Sequence, residues 1–327
     1  MPRRIPPIWP RSPSRRRGLL RWSALTFAVA CSRSEPCSRA DQEPLLVYNA
    51  AAIARPMRAV LDSFSQRTGR PYQQETAASL ELARKSLELK RPPDVLVLAD
   101  PAIFPSLLEP TVTRWHALFA RNRIVLAYTP RSRGADRIDA SNWWQVITEP
   151  GVEVGRADPH TDPSGYRTLL VWQLAELHYG IRGLAARLAA AAPARNVRPR
   201  EADQVALLQA GEYDYTWTYQ NLAEQAGFRF VKLPDAIDLG SEADSASYAR
   251  ASVRVTGRTP GDSVTFRGEP ILFAVSIPVA APHDTLAARF AAFLLSPDGR
   301  RILRASSFEP LDAPVFRGSG IPPALIP

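Results

Sequence analysis

At 327 residues the chain can build two packed lobes and is too long for one small core. Its formal charge of +9 does not mark a nucleic-acid binder. Seven arginines (Arg3, Arg4, Arg11, Arg15, Arg16, Arg17, Arg21) and no acid fall in the first thirty residues, which leaves +2 for the rest and no basic stripe to follow phosphates.

The same thirty residues have the anatomy of an export signal: a basic region ending at Arg21, then a short apolar core from Trp22 to Ala30. Ala28-Val29-Ala30-Cys31 resembles a lipoprotein processing site, with Ala28 where leucine is usual. Ser14-Arg15-Arg16-Arg17-Gly18-Leu19-Leu20 resembles a twin-arginine signal. The expectation is a signal peptide over 1–30, a polar tether over 31–44, and an exported protein, periplasmic or at the cell surface, anchored by lipid at Cys31. If Cys31 is not acylated, a disulfide with Cys37 is the alternative. No later segment has the roughly 20 apolar residues that would span a bilayer.

From Leu45 onward, strand and helix patterns alternate, which predicts an α/β protein with mainly parallel sheets. Strands are predicted at 45–48, 93–98, 123–128, 213–219 and 271–277. Helices are predicted at 55–66, 79–89, 143–147, 185–192, 201–210, 286–295 and 297–305, with a long one opening after Asp162. In the aromatic strand, Tyr213, Tyr215, Trp217 and Tyr219 alternate with polar residues at the strand period of two, and the first three are assigned to core.

Arg156-Ala157-Asp158-Pro159-His160-Thr161-Asp162-Pro163-Ser164-Gly165-Tyr166-Arg167 reads as a strand-to-helix turn. Asp162 is placed to cap the helix, and Pro163 suits its first position. Ser164 and Gly165 are then expected to leave backbone N–H groups bare at the positive helix end, with Gly165 admitting a ligand close to the backbone. Taken alone, the segment also fits a well-capped surface helix.

Three further segments put polar groups where a strand ends or a helix starts: Tyr48 to Ala54, Glu75 to Leu80, and Arg198 to Glu201 ahead of the strand ending at Tyr219. The order and spacing of the four segments resemble the periplasmic molybdate- and tungstate-binding proteins of ABC importers. In the tungstate/molybdate branch the ligand turn reads Asp-Pro-x-x-Asp-Pro-x-Gly-Tyr-Arg, matched here from Asp158 to Arg167. The likeness runs from about Leu45 to about Phe308 and includes Phe119–Tyr128 and Gln173–Leu177.

The resemblance implies a two-lobed, hinge-linked periplasmic binding protein of type II, with its ligand cleft between the lobes. Residues 45–128 and 271–327 would form one lobe and 129–270 the other, crossing at 123–130 and 270–278. It also implies the ligand-binding set Ala52, Ser79, Asp162, Ser164, Glu201 and Tyr219. Asp162 and Glu201 match two carboxylates that approach the molybdenum or tungsten of the bound oxyanion. Ser79 matches a hydroxyl donor, Ser164 a backbone N–H donor, and Tyr219 a phenol facing the cleft. Ala52 replaces a serine of the family. Arg167 is expected to anchor the turn.

The function implied is capture of molybdate or tungstate and delivery to a permease and its ATPase, by a monomer with no cofactor and no turnover. The Ala52 replacement keeps open the same fold with another anion or small solute. A hydrolase using Asp162 and Glu201 as acid and base is the reading from another class, but no Gly-x-Ser-x-Gly elbow accompanies it. The four histidines (His116, His160, His178, His283) form no metal-ligand spacing. Without the resemblance, Ser79 fits a helix cap, Glu201 a first-turn acid, and Tyr219 a buried strand position.

Overall fold

The structure, a computed structural model, describes residues 43–88, 92–259 and 261–326. The predicted signal peptide, the tether up to residue 42, Cys31, Cys37 and the last residue of the predicted helix 79–89 lie outside the described residues.

The chain opens with strand β1 (Leu45–Ala50), a single 3-10 turn at Ala51–Ile53, helix α1 (Ala54–Thr68) and strand β2 (Tyr72–Ala77). Helix α1 buries Met57, Val60, Leu61 and Phe64 on one face, and Gly69 ends it in the left-handed conformation at φ 69°. Helix α2 (Ser79–Glu88), strand β3 (Val95–Leu98) and strand β4 (Trp115–Arg121) follow. Every residue of β3 is buried, as expected of a short apolar strand covered on both faces.

Strand β5 (Ile124–Tyr128) starts the second half, followed by α3 (Trp143–Val146), β6 (Val154–Ala157), α4 (Pro163–Tyr179) and α5 (Leu184–Ala191). Then come β7 (Val197–Arg198), α6 (Glu201–Ala210), β8 (Tyr215–Tyr219), α7 (Gln220–Gln225) and β9 (Arg229–Lys232). A short helix α8 (Ser245–Tyr248) precedes a hairpin of β10 (Ser252–Thr256) and β11 (Ser263–Arg267). The chain closes with β12 (Leu272–Ser276), α9 (Asp284–Leu295), α10 (Pro297–Ala305) and β13 (Glu309–Gly318).

Two principal sheets result, ordered β13-β4-β12-β3-β1-β2 and β7-β6-β8-β5-β9. Each is the floor of one lobe. Both are mixed, which corrects the expectation of mainly parallel sheets. Strand β1 pairs in parallel with β2 and β3, but β12 runs antiparallel to β3 and β4. In the second sheet, β6 is parallel to β7 and β8, whereas β5 is antiparallel to β8 and β9. The antiparallel strands are the ones that re-enter a sheet from the other lobe or from the chain end.

The pairing also corrects the expected lobe boundary at 128. Residues 124–128 hydrogen-bond to β8 and β9, so that strand belongs to the second sheet. Only Asn122 and Arg123 separate β4 from β5. The return passes beside them: the Asn122 N–H donates to the Ile271 carbonyl at 3.0 Å, and the Ile271 N–H to Leu239 at 2.7 Å. Two adjacent extended crossings make a hinge about which the lobes can turn.

Strands β2, β4, β7, β9, β10, β11 and β13 fall outside the predicted set. Strand β13 contains Pro310 and Pro314 and shifts register between Pro310 and Val315, which is tolerated because it lies on the sheet edge. Strand β8 begins at Tyr215, leaving Tyr213 in the loop before it; all three residues assigned to core are buried.

Candidate ligand site between the two sheets

Asp162 is the N-cap of α4. Its Oδ1 accepts from the Ser164 N–H at 2.9 Å and from the Ser164 hydroxyl at 3.0 Å. Its Oδ2 accepts from the Glu201 N–H at 3.0 Å, so the same carboxylate also caps α6. The Gly165 N–H donates to the Asp162 carbonyl at 3.0 Å. The N–H groups of Ser164 and Gly165 are therefore occupied, which corrects the expectation that they are bare.

Gly165 has a different reason to be glycine. A Cβ there would meet the Ala157 carbonyl oxygen at 2.6 Å and the Asp158 carbonyl oxygen at 2.7 Å. The residue lets α4 pack onto the end of β6, the strand that precedes its own turn.

Glu201 starts α6 and is fully buried. Its Oε1 accepts from the Thr218 hydroxyl and from the Tyr219 N–H, each at 2.6 Å. Its Oε2 has no hydrogen-bond partner among the described residues. Burial, and then the charge of Asp162, push the Glu201 carboxyl up to about 8. Burial raises Asp162 as well, against the pull of its hydrogen bonds. The site thus has one carboxyl whose oxygens are held by main chain and one with a free, desolvated oxygen.

Tyr219 ends β8 and is fully buried; its hydroxyl accepts from Arg167 Nη1 at 2.7 Å. Arg167 does not anchor its own turn. It reaches the other lobe, donating to the Ala99 carbonyl at 2.6 Å and pairing with Asp100 Oδ2 at 3.1 Å. Tyr166 donates to the same Asp100 oxygen at 2.5 Å.

From the first lobe, Ser79 opens α2 and accepts from the Ala99 N–H at 3.0 Å, so its hydroxyl ties the helix to the end of β3 rather than capping it. Its neighbour Leu80 donates through N–H to the Thr161 carbonyl of the second lobe at 3.1 Å, one residue from Asp162. The turn carrying Ala52 packs against α6, and the Ala52 carbonyl accepts from Asn221 Nδ2 at 2.9 Å. The six predicted residues thus lie on elements that meet where the sheets face each other, none more than 5% exposed.

Sequence reasoning missed Asp100, Thr218, Asn221 and Arg84. Arg84 donates across the lobes to the carbonyls of His160 (2.9 Å), Thr256 (2.7 Å) and Gly257 (3.0 Å). Asp100 follows a predicted strand, which was the available signal. The others act through partners remote in sequence.

Residues 45–309 match the family described as bacterial extracellular solute-binding protein. The chain belongs to this family. The solute-binding protein is 38% identical over 271 residues to an uncharacterized solute-binding protein of Petrotoga mobilis, covering 83% of this chain and 84% of the relative. It is 30% identical over 340 residues to the molybdate/tungstate-binding protein WtpA of Thermococcus kodakarensis, covering 93% and 94%.

Among solved structures, it is similar to the periplasmic molybdate-binding protein of Azotobacter vinelandii, with a TM-score of 0.59 at 15% identity, covering 81% of this chain and 98% of that one. The sulfate-binding protein SubI of Mycobacterium tuberculosis gives 0.57 at 15% identity, covering 83% and 88%. These likenesses establish the two-lobed binding-protein fold. No helix of the described residues is long and apolar enough to cross a membrane.

Proposed function

We propose that this solute-binding protein captures molybdate or tungstate between its lobes and delivers it to the permease and ATPase of an ABC importer. The observation that carries the reading is the buried, unpartnered Glu201 Oε2 in the site that also holds the Asp162 carboxylate. Two ionised carboxylates about 4 Å apart at an effective dielectric of about 20 would repel by on the order of 4 kcal/mol, and the ligand-free site avoids this by keeping the proton on Glu201. Molybdenum and tungsten centres can take carboxylate oxygens into an expanded shell, so that coordination replaces the Glu201 proton and turns both acids into ligands, which sulfur and phosphorus centres do not do.

The hydroxyls support the same reading. Ser79 and Tyr219 each accept from a group that can only donate, the Ala99 N–H and the Arg167 guanidinium. Each hydroxyl proton is left to point elsewhere, and an oxyanion oxygen is a fitting acceptor. Asp162 Oδ2 accepts a single N–H, which leaves it a lone pair for the metal.

Thermal unfolding with tungstate, molybdate, sulfate and phosphate in parallel tests the proposal. Ligand at a hundred times its dissociation constant stabilises the native state by about 2.7 kcal/mol. A rise in midpoint with tungstate or molybdate alone is expected; a rise with sulfate or phosphate alone would assign the site to the other anion class that Ala52 keeps open.

A further inference from the structure

A chain of hydrogen bonds crosses the site from one lobe to the other. The Ala99 peptide unit, at the end of β3, donates its N–H to Ser79 Oγ and receives Arg167 Nη1 on its carbonyl. The same Nη1 reaches the Tyr219 hydroxyl at 2.7 Å, and Nη2 pairs with Asp100 at 3.1 Å. Arg167 and Tyr219 belong to the second lobe; Ser79, Ala99 and Asp100 belong to the first. Arg167 is 3% exposed and Tyr219 not at all.

A guanidinium offers donors only, in a rigid fork. The Tyr219 oxygen must accept from it, so the single Tyr219 O–H proton cannot turn toward Arg167. Glu201 holds the N–H of the same tyrosine on its Oε1, which brings the Tyr219 backbone to the two-carboxylate side of the cleft. We propose that Arg167 is a positioning residue for ligand capture: it aims the Tyr219 proton into the cleft as a donor to an oxyanion oxygen. Its grip on Ala99 and Asp100 makes that aim a property of the closed protein. Ligand binding and lobe closure are then linked through one side chain that does not itself touch the ligand. The inference rests on the reading of Tyr219 as a ligand donor.

A double-mutant cycle on the full chain tests it, with tungstate as probe and calorimetric dissociation constants as readout. Tyr219→Phe removes the proton, and Arg167→Lys keeps a charge for Asp100 while removing the fork. Each is expected to weaken binding about ten- to a hundredfold, the loss typical of a hydrogen bond to a charged group. The double variant is expected to lose less than the product of the two single losses, because Arg167 then has no Tyr219 proton left to aim and only its cross-lobe bonds remain to be lost.

Losses that multiply in the double variant would overturn the positioning role and leave Arg167 as a structural ion pair. If Arg167→Lys does not fold, Asp100→Asn in the same cycle loosens the guanidinium from the opposite lobe, and multiplying losses again overturn the role. Wild-type binding that survives Tyr219→Phe unchanged would remove Tyr219 as a donor and the inference with it. Failure of the wild type to bind tungstate at all would overturn the oxyanion reading itself, a result distinct from multiplying losses.

Discussion

The Asp162 carboxylate accepts the main-chain N–H of Glu201 at 3.0 Å, so the acid that caps α4 also caps the helix that begins with the second acid. One side chain thus sets the approach of two helix N-termini. Removing a side-chain cap costs about 1 kcal/mol. Asp162→Ala is therefore expected to lower stability by about 2 kcal/mol in urea unfolding, less whatever relief Glu201 gains. Tungstate should no longer raise its unfolding midpoint. Retained stabilisation by tungstate would rule Asp162 out as a ligand.

The pH dependence of the ligand-free protein follows from Glu201. Its carboxyl is pushed up from 4.5 to about 8 by burial and then by the Asp162 charge. The native state holds this proton over a range where the unfolded chain has released it. Its contribution is fully present below about pH 4.5 and is lost as the pH rises through about 8. Stability in urea should thus fall between pH 5.5 and 8.5, and Glu201→Gln should flatten that fall. An equal slope in the variant would place the titrating group elsewhere.

Gly165→Ala puts a methyl within 2.6 Å of the Ala157 carbonyl oxygen, a main-chain atom that cannot swing aside. Displacing α4 from β6 should cost about 1–3 kcal/mol, as overpacking does, and move Asp162 with it. Calorimetry should find weaker tungstate binding together with a lower midpoint. Unchanged affinity would mean that the turn relaxes without moving its carboxylate.

Arg84→Ala removes hydrogen bonds to three carbonyls of the opposite lobe while touching no residue of the candidate site. The expected effect is on closure: about tenfold weaker tungstate binding, with the loss in the dissociation rate. Stopped-flow dissociation would show it, and a change confined to the association rate would contradict a latch.

Ala52→Ser supplies the hydroxyl that the sequence resemblance implies at this turn. A new hydrogen bond to a charged ligand is worth roughly 1.5–3 kcal/mol, so tungstate affinity should rise about tenfold or more in calorimetry. No gain would show that the Ala52 turn lies too far from the ligand to use a hydroxyl.

Much of the local structure could be read directly from the residues. The Asp162-Pro163 cap, the four buried apolar residues of β3 and the terminal pair α9 and α10 are written in contiguous side chains. Each depends on neighbours a few positions away, where capping and periodicity act. The resemblance named Asp162 and Glu201, which the structure joins by one hydrogen bond. Other features depend on groups far apart in the chain. The placement of 124–128 in the second sheet came from pairing with β8 and β9. The partners of Arg167 lie 68 and 52 residues away. Gly165 is required by the carbonyls of the preceding strand, and the bare N–H groups expected beside it are satisfied by Asp162. A sequence motif names which donors and acceptors are present. Which of them remain unsatisfied, and so available to a ligand, is settled only when distant segments have taken their hydrogen bonds first.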